Sequence, residues 1–303
     1  MEQRTSSSAY ARLTQYGVLR VTGEEARAFL HAQLTSDIER LAPGRAAFAG
    51  WCSAQGRLLA SFVVLPQRDG FLLQLARELA AGVAKRLAMF VLRSKVKLAD
   101  ASGEWRQLGV WGEDATARLA AAGLEPPREV LGLAGHDAAV VARLGEEQFL
   151  VLAPDEAGAQ LERRIGLPPA SADGWMLREI RAGRALIGAA TQDRFIPQMV
   201  GLDAIGGVSF SKGCYPGQEI VARAQYRGAL KRRMYRVHAN ADLLPGQELY
   251  SDASPGQPAG TVVNAADGEA LAVLQIPSVE SRSPVRVASG GEPLELLPLP
   301  YSR

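Results

Sequence analysis

The sequence predicts an α+β protein that ends in a small β-barrel, and three observations lead there. Through residue 228, strand-like and helix-like apolar patterns are mixed without a regular βαβ repeat. From residue 229 onward the texture changes to short strands parted by Pro- and Gly-rich turns, as in a small barrel. The chain has 303 residues, 47% of them hydrophobic, and single cores stop growing at about 250 to 300 residues. Two domains are therefore expected, a core of residues 1–228 and a barrel of residues 229–303.

Taken in order, the first expected strand covers residues 18–21. Thr22 with Glu25 three places on reads as a capping box, and Ala26, Phe29, Leu30, Leu34, Ile38 and Leu41 recur at helical spacing, so one helix is expected to run up to Pro43 and Gly44. Residues 48–52 and 58–65 read as a hairpin joined by the turn Ser53-Ala54-Gln55-Gly56, and a strand at 71–75 follows the Asp69-Gly70 turn. Leu79, Val83, Leu87 and Phe90 mark a second amphipathic helix. Between 99 and 172 the pattern gives strands near 108–111, 139–143 and 149–152, with helices at 115–122 and 156–165. Pro168 and Pro169 interrupt it, and a helix over about 173–182 carries Trp175. The barrel strands are expected at 234–238, 261–263, 271–274 and 285–287.

Composition excludes several function classes. Lys+Arg 34 against Asp+Glu 32 gives a net charge of +2, so the molecule is not a basic coat for DNA and any anion site must be local. The two cysteines, Cys52 and Cys214, form no CxxC or Cys/His set, which fits a reducing cytoplasm and suggests neither a disulfide framework nor a zinc site. The first residues, MEQRTSSSAYARL, have no apolar core, and no segment approaches the ~18 apolar residues of a membrane span. Neither export nor membrane insertion is expected. His31, His136 and His238 are scattered and are read as surface or structural residues, not as a triad or metal site. Neither GxGxxG nor GxxxxGK[ST] occurs, which argues against common dinucleotide and P-loop sites.

The polar chemistry concentrates in Ser211 to Arg233, SKGCYPGQEIVARAQYRGALKRR. Gly213, Pro216 and Gly217 surround Cys214 and mark a tight loop. Ile220, Val221 and Ala224 suggest a helix beginning near Gly217, so the thiol lies just ahead of a helix N-terminus. That position and Lys212 both favour a thiolate and make Cys214 the candidate reactive group. Cys52, beside Trp51 in an apolar strand, reads instead as a packed, protonated thiol. Arg223, Arg227, Lys231, Arg232, Arg233 and Arg236 follow with no Asp or Glu from 220 through 241, and Tyr226 and Tyr235 are interleaved. Such a run can hold phosphates, a polyglutamate tail or RNA, or it can be a solvated surface.

The string KGCYPGQEIVAR followed by YRGALKRR resembles the YgfZ-type folate-binding proteins, which are themselves similar to the T-protein (aminomethyltransferase) of the glycine cleavage system. With Lys, Cys, Gln, Glu and Arg at fixed offsets, it is far more specific than a short glycine pattern. The likeness extends through RFIPQMVGLDAIGGVSF and on to the terminal PLPYS, so most of the chain is covered. The resemblance implies a T-protein-like fold of two interleaved α+β subdomains around a central folate site, with a C-terminal β-barrel. It implies tetrahydrofolate or a derivative as cofactor, and a role in assembly or repair of iron-sulfur enzymes, including those that modify tRNA. Partners would be folate and iron-sulfur client or assembly proteins, with tRNA an indirect one. Tyr16 and Trp175 match the family's two aromatic folate positions, where a flat pterin can stack. Gln218, Glu219, Arg223, Arg227, Lys231 and Arg232 would complete the cofactor site. No resident metal is implied, only a transient contact of Cys214 with a cluster.

Two departures qualify this. Where T-proteins carry a pterin-binding glutamate before Ala-Gly, this chain has Arg181 in EIRAG, and a guanidinium cannot accept from the donor edge of a pterin. Where T-proteins carry paired aspartates, GRLLAS offers Ala60 and Ser61. Losing a positioned acid/base group typically forfeits ~10² to 10⁴ in rate, so aminomethyl transfer is not expected, and whether any reaction is turned over stays open. The leading reading is a folate-binding accessory protein for iron-sulfur enzymes with Cys214 as its reactive group. The alternatives are a folate-dependent one-carbon transferase and a basic RNA-binding module.

Overall fold

The computed structural model describes residues 7–136, 138–226, 228, 230–288 and 291–301. In chain order come strands β1 (Ala9–Arg12) and β2 (Tyr16–Thr22), helix α1 (Ala26–Gln33), strands β3 (Ala47–Cys52), β4 (Leu58–Gln67) and β5 (Gly70–Ala76), and helix α2 (Arg77–Ala88). Strands β6 (Lys97–Asp100) and β7 (Trp105–Trp111), helix α3 (Ala115–Ala121), strands β8 (Leu133–His136), β9 (Ala139–Gly145) and β10 (Gln148–Pro154), and helices α4 (Asp155–Ile165) and α5 (Ala172–Arg181) follow. A 3-10 turn (Pro197–Val200) and helix α6 (Gln218–Tyr226) precede strands β11 (Arg232–His238), β12 (Glu248–Ser251), β13 (Gly260–Ala266) and β14 (Glu269–Gln275). Helix α7 (Ile276–Glu280) and strands β15 (Val285–Arg286) and β16 (Glu295–Leu297) complete the order. No helix among the described residues is long and apolar enough to cross a membrane.

The chain gathers into two units, one of Met1–Phe29, Glu39–Ala47 and Val63–Trp175, the other of Leu30–Ile38, Phe48–Phe62 and Met176–Arg303. In the first unit, one antiparallel sheet has the order β1-β7-β10-β9-β8 and a second runs β4-β5-β2-β6. Alternation along β7 sends Leu108 and Val110 to one face, where they pack with Phe149 and Val151 of β10, Leu119 of α3, and Leu161 and Ile165 of α4. Each such side chain contributes about 1.5–3 kcal/mol relative to leaving it in water. Gln107 and Gly109 belong to the opposite face of β7. There Gln107 Nε2 donates to Tyr16 O at 2.8 Å, and Trp175 lies over Gly109.

In the second unit, β3 lies beside the first half of β4, and the residues after 229 form a sheet of order β15-β12-β13-β14-β11-β16. Its apolar face buries Val237, Leu249, Val262, Ala272 and Leu274. A register shift between Val262 and Asn264 turns the Asn264 amide toward residue 186, where it accepts from Leu186 N and donates to Leu186 O, both at 2.9 Å.

Two local expectations are corrected. The helix expected to reach residue 41 stops at Gln33. Leu34 instead bridges Trp51, Thr35 N donates to Gly50 O at 2.9 Å, and Thr35 Oγ1 accepts from Gly50 N at 2.7 Å while donating to Gly207 O at 2.6 Å. Leu34 and Ile38 stay fully buried without being helical. The capping box does not form, because Thr22 ends β2 and the Glu25 carboxylate accepts from Lys95 N at 2.6 Å. Strands β1, β6, β8, β12 and β16 and helix α7 were not expected from the pattern.

Candidate functional site

The loop that carries Cys214 is seated by close backbone approach. Helix α6 begins at Gln218, with Gln218 N donating to Tyr215 O at 3.1 Å and Val221 N to Gly217 O at 3.2 Å. Gly217 has φ +77, and a Cβ there would stand 2.4 Å from Ser53 O and 2.6 Å from Gly56 Cα. Only glycine satisfies both conditions. The hairpin turn that carries Ser53 is in turn held by Ser53 Oγ, which donates to Asp193 Oδ1 at 2.8 Å.

Lys212 anchors the other side of the loop. It is buried, and its Nζ donates to Leu34 O at 2.6 Å and also to His31 O. A cation on carbonyls at the end of α1 is favoured by the helix dipole as well as by the two bonds. The ammonium also lies 4.9 Å from the centre of the Tyr215 ring. Burial pulls the Lys212 pKa down to about 8, against the attraction of Asp37 and Cys214. Beside it, His31 Nδ1 is 3.2 Å from Asp37 Oδ1, and His31 Nε2 is 3.7 Å from the point where a Cβ on Gly213 would stand.

The two cysteines occupy opposite environments. Cys214 is exposed at the loop, whereas Cys52 is buried in β3. Burial pushes the Cys52 thiol up to about 12, with the Asp193 charge adding to the shift. Among the described residues, no group of three or more His, Cys, Asp or Glu side chains is arranged to hold a metal ion.

The remaining expected site residues are dispersed. Gln218 is half-buried at the start of α6, while Glu219, Arg223 and, at its end, Tyr226 are exposed. Arg227 lies outside the described residues. Lys231 is exposed and Arg232 half-buried where β11 begins. The basic run does not present one free face, because Arg236 Nε donates to Glu269 Oε2 at 2.7 Å.

Arg181 is committed to the same carboxylate, with Nη2 at 2.8 Å from Glu269 Oε1. Burial works to raise the Glu269 pKa, but the bonds from Arg181 and Arg236 outweigh it and hold the carboxyl below its ordinary value. Glu179, the nearest other acid in EIRAG, is spent on a buried pair with Arg184 at 2.8 and 3.0 Å. Ala60 is fully buried, and Ser61 Oγ donates to Ala185 O at 3.2 Å and accepts from Ile187 N at 3.0 Å. Neither position offers a carboxylate to an amine.

Tyr16 and Trp175 are both core side chains. Tyr16 is buried at the start of β2, and Trp175 is only 1% exposed. Its indole fills the space left by Gly109, where a Cβ would come within 2.2 Å of the ring, and it packs against Trp111 with centroids 6.3 Å apart. A ring stacking on Trp175 would have to displace that packing. His31 carries no sequence signal for a place beside the Cys214 loop, because the two segments lie far apart in the chain, although its partner Asp37 is close by in sequence. His238 is half-buried in β11, and the His136 side chain lies outside the described residues.

Comparison with known proteins agrees with the fold. Residues 5–125 match the model of the GCVT N-terminal domain, and residues 231–299 match that of the CAF17 C-terminal beta-barrel domain. The tRNA-modifying protein YgfZ of Edwardsiella ictaluri is 33% identical over 96% of this chain and 92% of its own. The protein of the same name from Escherichia coli K12 is 32% identical over 96% of this chain and 92% of its own. Among solved structures, the glycine cleavage system aminomethyltransferase T of Bartonella henselae superposes with a TM-score of 0.78 at 17% identity, covering 98% of this chain and 87% of that one. The fold is therefore of the T-protein kind with a C-terminal barrel domain.

Proposed function

The chain belongs to the family of the tRNA-modifying protein YgfZ, and on that footing we propose that it is a tetrahydrofolate-binding accessory protein of the cytoplasm. In this reading it supports assembly or repair of iron-sulfur enzymes, including tRNA-modifying ones, through the thiol of Cys214. The observation that carries it is the construction of the loop. Lys212 pins one side to the end of α1 and Gly217 seats the other against the Ser53–Gly56 turn, while Cys214 between them stays exposed. Such a frame presents a thiol to a partner at low entropic cost. The match to a GCVT-type domain supports folate as the ligand. Tyr16 and Trp175 remain the pterin-contacting pair of this proposal, at the cost of loosening Trp175 from Gly109. Arg223, Arg227, Lys231 and Arg232 are assigned to the carboxylate tail. In this reading residues 1–228 are the folate-binding core and residues 229–303 the barrel.

Aminomethyl transfer is not part of the proposal, since Ala60 is enclosed and Ser61 is bonded to backbone. An RNA-binding role would rest on the exposed Tyr226 beside Arg223. Calorimetric titration separates the two. Tetrahydrofolate should bind saturably, and its polyglutamyl form should bind more tightly with an advantage that shrinks as salt is added. Absence of any folate binding, with steeply salt-dependent tRNA binding, would replace this reading by the RNA-binding one.

A further inference from the structure

We propose that the turn after α2 is a docking tip for an anionic lipid surface, with Met89, Phe90 and Leu92 entering the headgroup layer and the flanking Lys and Arg side chains holding it there. Leu92 is 88% exposed, Met89 64% and Phe90 45%. Other large apolar side chains exposed among the described residues, such as Val130, Leu244 and Leu296, stand far apart in sequence, and single exposures of that kind need no explanation. Three within four residues do. Leu92 also has φ +46, a left-handed backbone that glycine or asparagine adopts at less cost. A leucine there gains almost no burial in return, so packing does not account for it.

The tip is ordered. Phe90 N donates to Leu87 O at 3.0 Å, Val91 N to Ala88 O at 3.2 Å and Ser94 N to Val91 O at 2.8 Å, with Leu87 and Val96 buried on either side. Lys95 ties down the returning chain, its N donating to Glu25 Oε2 at 2.6 Å and its Nζ to Glu24 Oε2 at 2.7 Å. The local sequence carries charge of one sign, because Lys85, Arg86, Arg93, Lys95 and Lys97 occur with no Asp or Glu from residue 79 through 99. All five are exposed. That combination selects the occupant. A second copy of the tip would bring like charge against like charge, and a nucleic-acid strand would use the cations but leave the apolar side chains in water. Lysine, which supplies three of the five cations, is depleted at protein–protein interfaces. An anionic bilayer accommodates both parts, since the headgroup boundary takes the apolar tip and the lipid phosphates attract the cations. The contact is peripheral, as no helix among the described residues is long and apolar enough to cross a membrane, and it does not depend on the role given to Cys214.

The test is co-sedimentation of the full-length protein with vesicles of phosphatidylglycerol and phosphatidylcholine in equal parts, against vesicles of phosphatidylcholine alone. Wild type should partition onto the anionic vesicles on the order of a hundredfold more strongly, because each Lys or Arg near such a surface contributes about fivefold. Added salt should remove most of that difference. Leu92→Gly suits the same backbone and removes only the side chain, so it should unfold at about the urea concentration of wild type. It should nevertheless bind the anionic vesicles roughly tenfold less, the loss of about two buried methylene groups of apolar contact. Arg93→Glu should weaken binding to the anionic vesicles alone. Leu244→Gly, which removes another exposed leucine, should leave binding unchanged. No binding of wild type to the anionic vesicles would overturn the proposal and leave the tip to a protein partner. Equal binding by wild type and Leu92→Gly would overturn it too, assigning the attraction to basic charge elsewhere in the chain, and so would unchanged binding in Arg93→Glu.

Discussion

Replacing Gly217 with alanine tests how the Cys214 loop is seated, and a second glycine supplies the control. Gly217 and Gly206 share φ +77, but a Cβ at 206 meets nothing within 4 Å, whereas at 217 it would stand 2.4 Å from Ser53 O and 2.6 Å from Gly56 Cα. Both substitutions carry the left-handed backbone cost of roughly 1–2 kcal/mol, offset by about 0.4–1 kcal/mol from the stiffer unfolded chain. Gly206→Ala should therefore cost about 1 kcal/mol. At 217 the atoms in the way are backbone, so the loop or the turn must move by about 1 Å, and overpacking of that kind costs typically 1–3 kcal/mol more. Gly217→Ala should then lose about 3 kcal/mol in urea unfolding followed by circular dichroism. A difference between the two variants below about 0.5 kcal/mol, within ordinary additivity error, would refute the account of how the loop is held.

Three further outcomes follow from burial and charge pairing elsewhere in the structure. Native protein at neutral pH should be labelled by iodoacetamide at Cys214 and protected at Cys52. Because the folded Cys52 thiol stays protonated up to about 12 while the unfolded one ionises near ~8.5, the native state binds more protons in that window and stability falls as pH rises. The loss should be about 2 kcal/mol between pH 8.5 and 10, and it should be absent from the pH dependence of Cys52→Ala; parallel curves for the two proteins would contradict it. Glu179→Ala should destabilise by about 3 kcal/mol or more, because it removes the carboxylate paired with the buried Arg184 guanidinium. Arg181→Ala should cost far less, since Glu269 retains Arg236 at 2.7 Å; comparable losses in urea melts would contradict this ordering.

Runs such as Leu58–Val64 and Phe149–Leu152 made the central strands legible, because a strand buried on both faces reads as a continuous apolar block. The end of α1 was not legible. Leu34 and Ile38 keep helical spacing and full burial, yet a bridge to Trp51 and the Thr35 bonds to Gly50 and Gly207 replace the helix. Hydrophobic period reports burial, and tertiary hydrogen bonds decided the backbone. The same division holds at the site. Gly213, Pro216 and Gly217 announced a tight loop around Cys214, but nothing near Lys212 in sequence indicated that its partners are carbonyls of His31 and Leu34. Glu25 was assigned to a cap within its own helix and instead binds Lys95 N. Arg181 likewise showed a changed charge without showing that Glu269 would absorb it.

The central claim is that the exposed thiol of Cys214 is what this protein contributes to its clients. Its most direct test is the activity of iron-sulfur tRNA-modifying enzymes, read as modified-nucleoside content by mass spectrometry, in a deletion strain carrying wild type or Cys214→Ser at matched protein levels. Wild type should restore the modified nucleosides and Cys214→Ser should not, although the variant keeps its fold and its affinity for tetrahydrofolate. Full restoration by Cys214→Ser would contradict the claim.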